Sequence, residues 1–125
     1  MEILIVDDDK FVRQVLKDAF EETGIKCNEA GNGLEALRLA REIHPDAIVL
    51  DVMLPGLDGY KICRMLKFDE NFADISVVMV TSRSRQCDRD TGYHTGADRY
   101  ITKPFKPEEV VAAVKELVEA KAAAE

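Results

Sequence analysis

Residues 3–10, ILIVDDDK, run four apolar residues straight into Asp7, Asp8 and Asp9. Ile, Leu and Val without polar alternation describe a strand buried on both faces, as in the interior of a parallel sheet. Three adjacent carboxylates at its end repel one another and add nothing to stability. They point instead to a task at the carboxyl end of the strand, and the remaining strands show whether others deliver to the same place.

Two further runs have the same character, AIVL at 47–50 and VVMV at 77–80. IKCNE at 25–29 is a weaker, more polar strand and RYIT at 99–102 a short one, both suited to a sheet edge. Helical patterns alternate with them. Phe11, Val12, Val15, Leu16, Ala19 and Phe20 mark one apolar face, closed by Gly24. Leu34, Leu37 and Ala40 mark a second helix, stopped before Pro45; Tyr60, Cys63, Met65 and Leu66 mark a third. Pro107 opens the last helix, with Val110, Val111, Val114, Leu117 and Val118 on one stripe. Residues 84–95 are the exception. Topology demands a crossover helix there, yet Thr91, Gly92 and Thr95 are poor helix formers and the apolar stripe is thin, which predicts a mobile helix. Five strand–helix units predict an α/β, doubly wound (βα)5 fold with a parallel five-stranded sheet and right-handed crossovers.

The bulk composition agrees. A chain of 125 residues fits one domain, with its core over about 3–120 and a tail, 121–125, expected to fray. A net charge of −7 argues against nucleic-acid binding by this chain alone. No apolar run approaches membrane-spanning length, and the chain reaches acidic residues too early for a signal peptide. Cys27, Cys63 and Cys87 are odd in number and unpaired by spacing, which fits a reduced, cytoplasmic protein.

In such sheets ligands bind beyond the carboxyl ends of the strands. The first strand ends in Asp7 and Asp8, the third in Asp51, the fourth in Thr81 and Ser82, and the fifth runs into Lys103. Clustered carboxylates cannot all stay ionised without a cation, and hard oxygen ligands suit Mg²⁺, or Mn²⁺ in its place. A lysine can hold a carboxylate at rest and a phosphoryl oxygen when one arrives. A carboxylate flanked by a metal, a lysine and a hydroxyl is a nucleophile for phosphorus, giving an aspartyl phosphate.

At these residues the chain resembles the receiver domain of two-component response regulators, of the single-domain chemotaxis-regulator type. The matching segments are ILIVDDDKFVRQVL, DAIVLDVMLPGLDGY, VVMVTSR and GADRYITKPF, in the right order over about residues 3–120. The resemblance implies a flavodoxin-like three-layer sandwich with strand order 2-1-3-4-5. It implies that Asp51 accepts a phosphoryl group from a histidine kinase or phosphotransfer protein. Asp7, Asp8, Asp51 and the backbone carbonyl of Met53 would hold Mg²⁺, with Asp8 the direct ligand of the first pair. Thr81, Ser82 and Lys103 would contact the phosphoryl oxygens, and Tyr100 would move between outward and inward rotamers as Thr81 shifts. A cis peptide bond before Pro104 follows from the same resemblance. So does a downstream protein partner, met through the region 84–120.

Other residues carry local readings. Asp9 sits between strand and helix, where it caps the first turn in preference to joining the metal site. Pro55, Gly56 and Gly59 shape the loop after Asp51. His44 and His94 have no second ligand at a useful spacing and read as surface residues. Arg83, Arg85, Arg89 and Arg99 alternate with Asp88, Asp90 and Asp98 as a solvated mixed-charge face or a partner surface. Met53 and Arg83 flank the approach of water to Asp51, which predicts slow self-dephosphorylation. The rival class is a phosphatase of the haloacid-dehalogenase type, with Asp7 as nucleophile. Lys10, the missing late acidic pair and the missing cap domain depart from it. A flavodoxin-like phosphate binder is excluded by three aspartates where the phosphate would sit.

Overall fold

The computed structural model describes residues 1–124. Five strands alternate with five helices: β1 (Glu2–Val6), α1 (Lys10–Glu21), β2 (Lys26–Ala30), α2 (Gly33–Ile43), β3 (Ala47–Leu50), α3 (Gly59–Lys67), β4 (Ser76–Thr81), α4 (Gln86–His94), β5 (Arg99–Thr102) and α5 (Pro107–Ala124). All pairings are parallel, in the order β2-β1-β3-β4-β5. The polar strand β2 and the short strand β5 are the two edges, so the interior positions fall to the uninterrupted apolar runs.

The pleat divides each interior strand between two cores. Leu4 and Val6 of β1 pack with Ala36, Leu37, Ile62 and Leu66 of α2 and α3, while Ile3 and Ile5 pack with Leu16, Phe20, Val110 and Val114 of α1 and α5. Aspartate and asparagine caps start three of the helices. Asp9 accepts from Phe11 N–H at 2.8 Å, Asn32 from Glu35 N–H at 2.9 Å, and Asp58 from Lys61 N–H at 3.0 Å. A cap of this kind contributes about 1 kcal/mol. Asp9 is therefore the residue that starts α1, as its position predicts.

Three expected core residues are outside instead. Phe11 is 76% exposed, Leu34 72% and Met65 43%. The buried stripes run through Leu16 and Phe20, through Ala36, Leu37 and Ala40, and through Ile62, Cys63 and Leu66. At about 100° per residue, each of the three lies roughly 100° or more off its stripe. Strand β2 is shifted by one residue from 25–29, leaving Ile25 buried just ahead of it. Helix α5 continues through Ala124, and Glu125 of the tail expected to fray lies outside the described residues. No described helix is long and apolar enough to cross a membrane.

Candidate functional site

The carboxyl ends of β1, β3, β4 and β5 meet at one edge of the sheet. Asp7 follows β1, Asp51 follows β3, Thr81 is the last residue of β4, and Lys103 follows β5. Asp7, Asp8 and Asp51 each present a carboxylate oxygen within 4.8 Å of the others. Asp7 and Asp51 are buried and Asp8 is exposed, so the cluster opens to solvent on one side. Hard oxygen donors, a small span and an open side fit a divalent cation that keeps water and a phosphoryl oxygen among its ligands.

Lys103 joins the two buried acids. Its Nζ donates to Asp7 Oδ2 at 2.8 Å and to Asp51 Oδ2 at 3.0 Å. Backbone amides hold the other oxygens: Asp9 N–H donates to Asp7 Oδ1 at 2.9 Å and Met53 N–H to Asp51 Oδ1 at 3.0 Å. Burial pushes the Asp7 carboxyl above the usual aspartate range, against the hydrogen bond from Lys103. Burial alone would lower Lys103, but its bonds to Asp7 and Asp51 prevail and hold it above the usual lysine range. The nearby Asp51 charge adds to the rise at Asp7, and one ammonium faces a cluster of three carboxylates. The pocket is short of positive charge. The peptide bond between Lys103 and Pro104 is cis, as the resemblance implies.

The remaining expected residues surround this cluster without all touching it. Thr81 is fully buried, and its Oγ1 accepts from Arg83 N–H at 3.4 Å. Ser82 is exposed, and its hydroxyl faces Met53 Sδ at 3.6 Å. Val52, Met53, Leu54, Asp58, Tyr60 and Arg83 line a cleft of about 450 Å³ in the adjacent loops. Tyr100 points inward, 6% exposed, and its hydroxyl donates to Arg83 O at 2.8 Å.

Four contributions escaped the sequence reading. Tyr60 donates to Asp88 O at 3.0 Å and lies 3.4 Å from the Tyr100 hydroxyl, tying α3 to the start of α4. Asp88 is buried, not part of a solvated face. It accepts from Arg85 N–H and Arg85 Nε, each at 3.2 Å, and these bonds hold its carboxyl below the usual range. Gly92 lies against the Tyr100 ring, where a Cβ would come within 2.7 Å of Cδ2. Arg13 donates through Nη1 to Asp7 O at 2.7 Å. In one dimension Tyr60 reads as part of a helix stripe, Asp88 as one charge in a mixed face and Gly92 as a weak helix position; only tertiary packing gives these residues and Arg13 their partners.

A sequence model of the response regulator receiver domain matches residues 3–115. The chain is 43% identical over 113 residues to the phosphate regulon transcriptional regulatory protein PhoB of Pseudomonas aeruginosa, covering 90% of this chain and 49% of that protein. Among solved structures, the BeF3-activated DrrB receiver domain superposes with a TM-score of 0.85 at 36% identity, covering 94% of this chain and 97% of that one. A CheY-like receiver domain protein from Methanospirillum hungatei superposes with a TM-score of 0.92 at 24% identity, over 99% and 98% of the two chains, which speaks for the fold alone. The chain spans about half the length of the curated relatives it matches.

Proposed function

The chain belongs to the response regulator receiver domain family of two-component systems, and from that premise we propose that Asp51 is its phosphoacceptor. The observation that carries the reading is the pair of hydrogen bonds that Lys103 Nζ donates to Asp7 and Asp51. It fixes Asp51 by one oxygen and leaves a cation able to exchange a carboxylate oxygen for a phosphoryl oxygen. An Asp51 oxygen attacks phosphorus, the bond from phosphorus to the donor breaks, and the donor leaves with the electron pair. The donor is a phosphohistidine of a histidine kinase or phosphotransfer protein. Asp7, Asp8, Asp51 and the backbone carbonyl of Met53 would hold Mg²⁺, with Mn²⁺ able to substitute. When bound, the ion supplies charge neutralisation at the phosphoryl oxygens.

Thr81 and Ser82 supply hydroxyls and Lys103 an ammonium to the transferred group. Among the described residues, the Thr81 hydroxyl has only its weak bond from Arg83 N–H to give up. Because that amide and the carbonyl that receives Tyr100 belong to the same residue, a shift of Thr81 reaches Tyr100 through Arg83. The receiver is a signalling switch and not an enzyme with a separate substrate; the chemistry it assists is its own phosphorylation and dephosphorylation. The output is a changed surface over 84–120, read by a protein partner in the cytoplasm, a location consistent with three free cysteines. The receiver unit occupies about 3–120, and nothing in its charge suits contact with nucleic acid or membrane.

Incubation with acetyl phosphate and Mg²⁺, read by intact mass, tests this assignment. One phosphoryl group should be gained, and Asp51→Asn should abolish the gain. Uptake that survives Asp51→Asn but disappears in Asp7→Asn would return the nucleophile to Asp7, as in a haloacid-dehalogenase phosphatase.

A further inference from the structure

Of the three acids in the pocket, only Asp8 lacks a side-chain restraint. Asp7 and Asp51 are each held by Lys103 and by a backbone amide. The Asp8 carboxylate is exposed and accepts no hydrogen bond among the described residues. Its direction is therefore set by the backbone that carries it, and that backbone is clamped. The Asp7 N–H donates to Ala30 O of β2 at 3.2 Å, and the Asp7 carbonyl, half of the peptide linking Asp7 to Asp8, accepts from Arg13 Nη1 at 2.7 Å.

The clamp has its own support. Arg13 Nε donates to Glu29 Oε1 on β2 at 3.2 Å, and the other oxygen of Glu29 faces Lys17 Nζ at 3.6 Å. The Arg13 side chain is only 17% exposed, so it is a packed group and not a solvated one. Gly31 makes the space: a Cβ there would stand 3.3 Å from Arg13 Nη1, tighter than ordinary contact. A planar guanidinium can serve a carbonyl and a carboxylate at once with fixed geometry, which an ammonium does less well. Glu29 also offsets its charge, so the cation beside the pocket acts by geometry more than by repelling a metal ion.

We propose that Arg13 is a positioning residue for the acidic pocket: by fixing the Asp7–Asp8 peptide from an anchor on β2, it orients the Asp8 carboxylate toward a bound Mg²⁺. The inference rests on the metal reading of the pocket given above. Groups that orient metal ligands from behind carry about tenfold or more in affinity, and the effect expected here is of that lower order.

Calorimetric titration of the metal-free chain with MgCl₂ tests it, alongside the Mg²⁺ dependence of phosphorylation by acetyl phosphate. Arg13→Gln should weaken Mg²⁺ binding about tenfold and raise the half-saturating Mg²⁺ concentration equally, with the rate at saturating Mg²⁺ kept. Arg13→Lys should recover part of the loss. Glu29→Gln, which frees the anchor and leaves the carbonyl bond, should produce a smaller shift in the same direction and serves if Arg13→Gln fails to fold. Thermal melts in EDTA report folding separately. Unchanged affinity in folded Arg13→Gln and Glu29→Gln, or tighter binding in Arg13→Gln, overturns the positioning role. A wild-type chain that takes up no Mg²⁺ overturns the metal reading itself, and the inference with it.

Discussion

Asp8 and Asp9 are neighbours of one residue type with unrelated work, and position alone divides them. Asp9 lies where α1 must begin and spends its carboxylate on the N–H of Phe11. Asp8 lies one step earlier, beside two buried acids. That division is legible in sequence, because helix caps obey local rules. The exposure of Phe11 and Leu34 is not legible from apolar character alone, since both lie roughly 100° or more off the buried stripe and only their angle separates them from it. Met53 shows how a site is trimmed at this scale. Its amide holds Asp51, while its side chain is half exposed at the mouth of the cleft it shares with Arg83. A thioether cannot accept strongly from water or steer it toward phosphorus. Met53→Asn puts a strong donor and acceptor there, and the phosphorylated chain should lose its phosphoryl group roughly tenfold faster, short of what a positioned general base gives. Decay of the intact-mass signal after donor removal measures it. An unchanged half-life would show that Met53 does not limit water.

At the scale of the element, α4 is the informative case. Its composition predicts a weak helix, and mobility is one reading of Gly92 in its interior. The structure supplies a steric reason as well. A Cβ at Gly92 would meet Tyr100 Cδ2 at 2.7 Å, Cε2 at 2.9 Å and Met79 Sδ at 3.1 Å. The bare α-carbon lets the Tyr100 ring lie inward, where its hydroxyl reaches Arg83 O and neighbours that of Tyr60. Helix propensity and packing thus make opposite predictions for Gly92→Ala. Propensity alone would stabilise by about 1 kcal/mol, whereas overpacking against a buried ring costs about 1–3 kcal/mol. Packing should win, and urea unfolding should show a net loss. In a Tyr100→Ala background the two closest contacts are gone and the flexible Met79 thioether can shift into the vacated space, so the same substitution should become stabilising. A Gly92→Ala effect of the same sign and size in both backgrounds would separate the glycine from the tyrosine, because only contacting residues couple in such a cycle. No reading of α4 by itself could show this, since Tyr100 enters from the next strand.

Across the whole molecule, the fold was legible and the site partly so, for one physical reason. Uninterrupted apolar runs declare buried parallel strands, and a parallel sheet sends their carboxyl ends to one edge, so Asp7, Asp51, Thr81 and Lys103 converge by topology. What topology omits is who bonds whom at that edge. Lys103 closes the pocket across 96 residues from Asp7, yet one ammonium leaves three carboxylates short of charge. A folded chain holding such a deficit should be stabilised by a cation that the unfolded chain cannot gather. At a hundredfold excess over its dissociation constant, Mg²⁺ should add about 2.7 kcal/mol, roughly 10 °C in melting temperature for a domain of this size. Asp8→Ala should remove that response while leaving the metal-free chain as stable or slightly more so, since it deletes an exposed, unpaired carboxylate. Protons compete for the same oxygens. Because burial raises Asp7 above the usual 3.8, the Mg²⁺ effect should fade on acidification earlier than an ordinary aspartate would give. Melting curves with MgCl₂ and with EDTA, taken from pH 7 downward, measure both. An Asp8→Ala chain that keeps the wild-type Mg²⁺ shift would mean that the ion acts elsewhere than in this pocket.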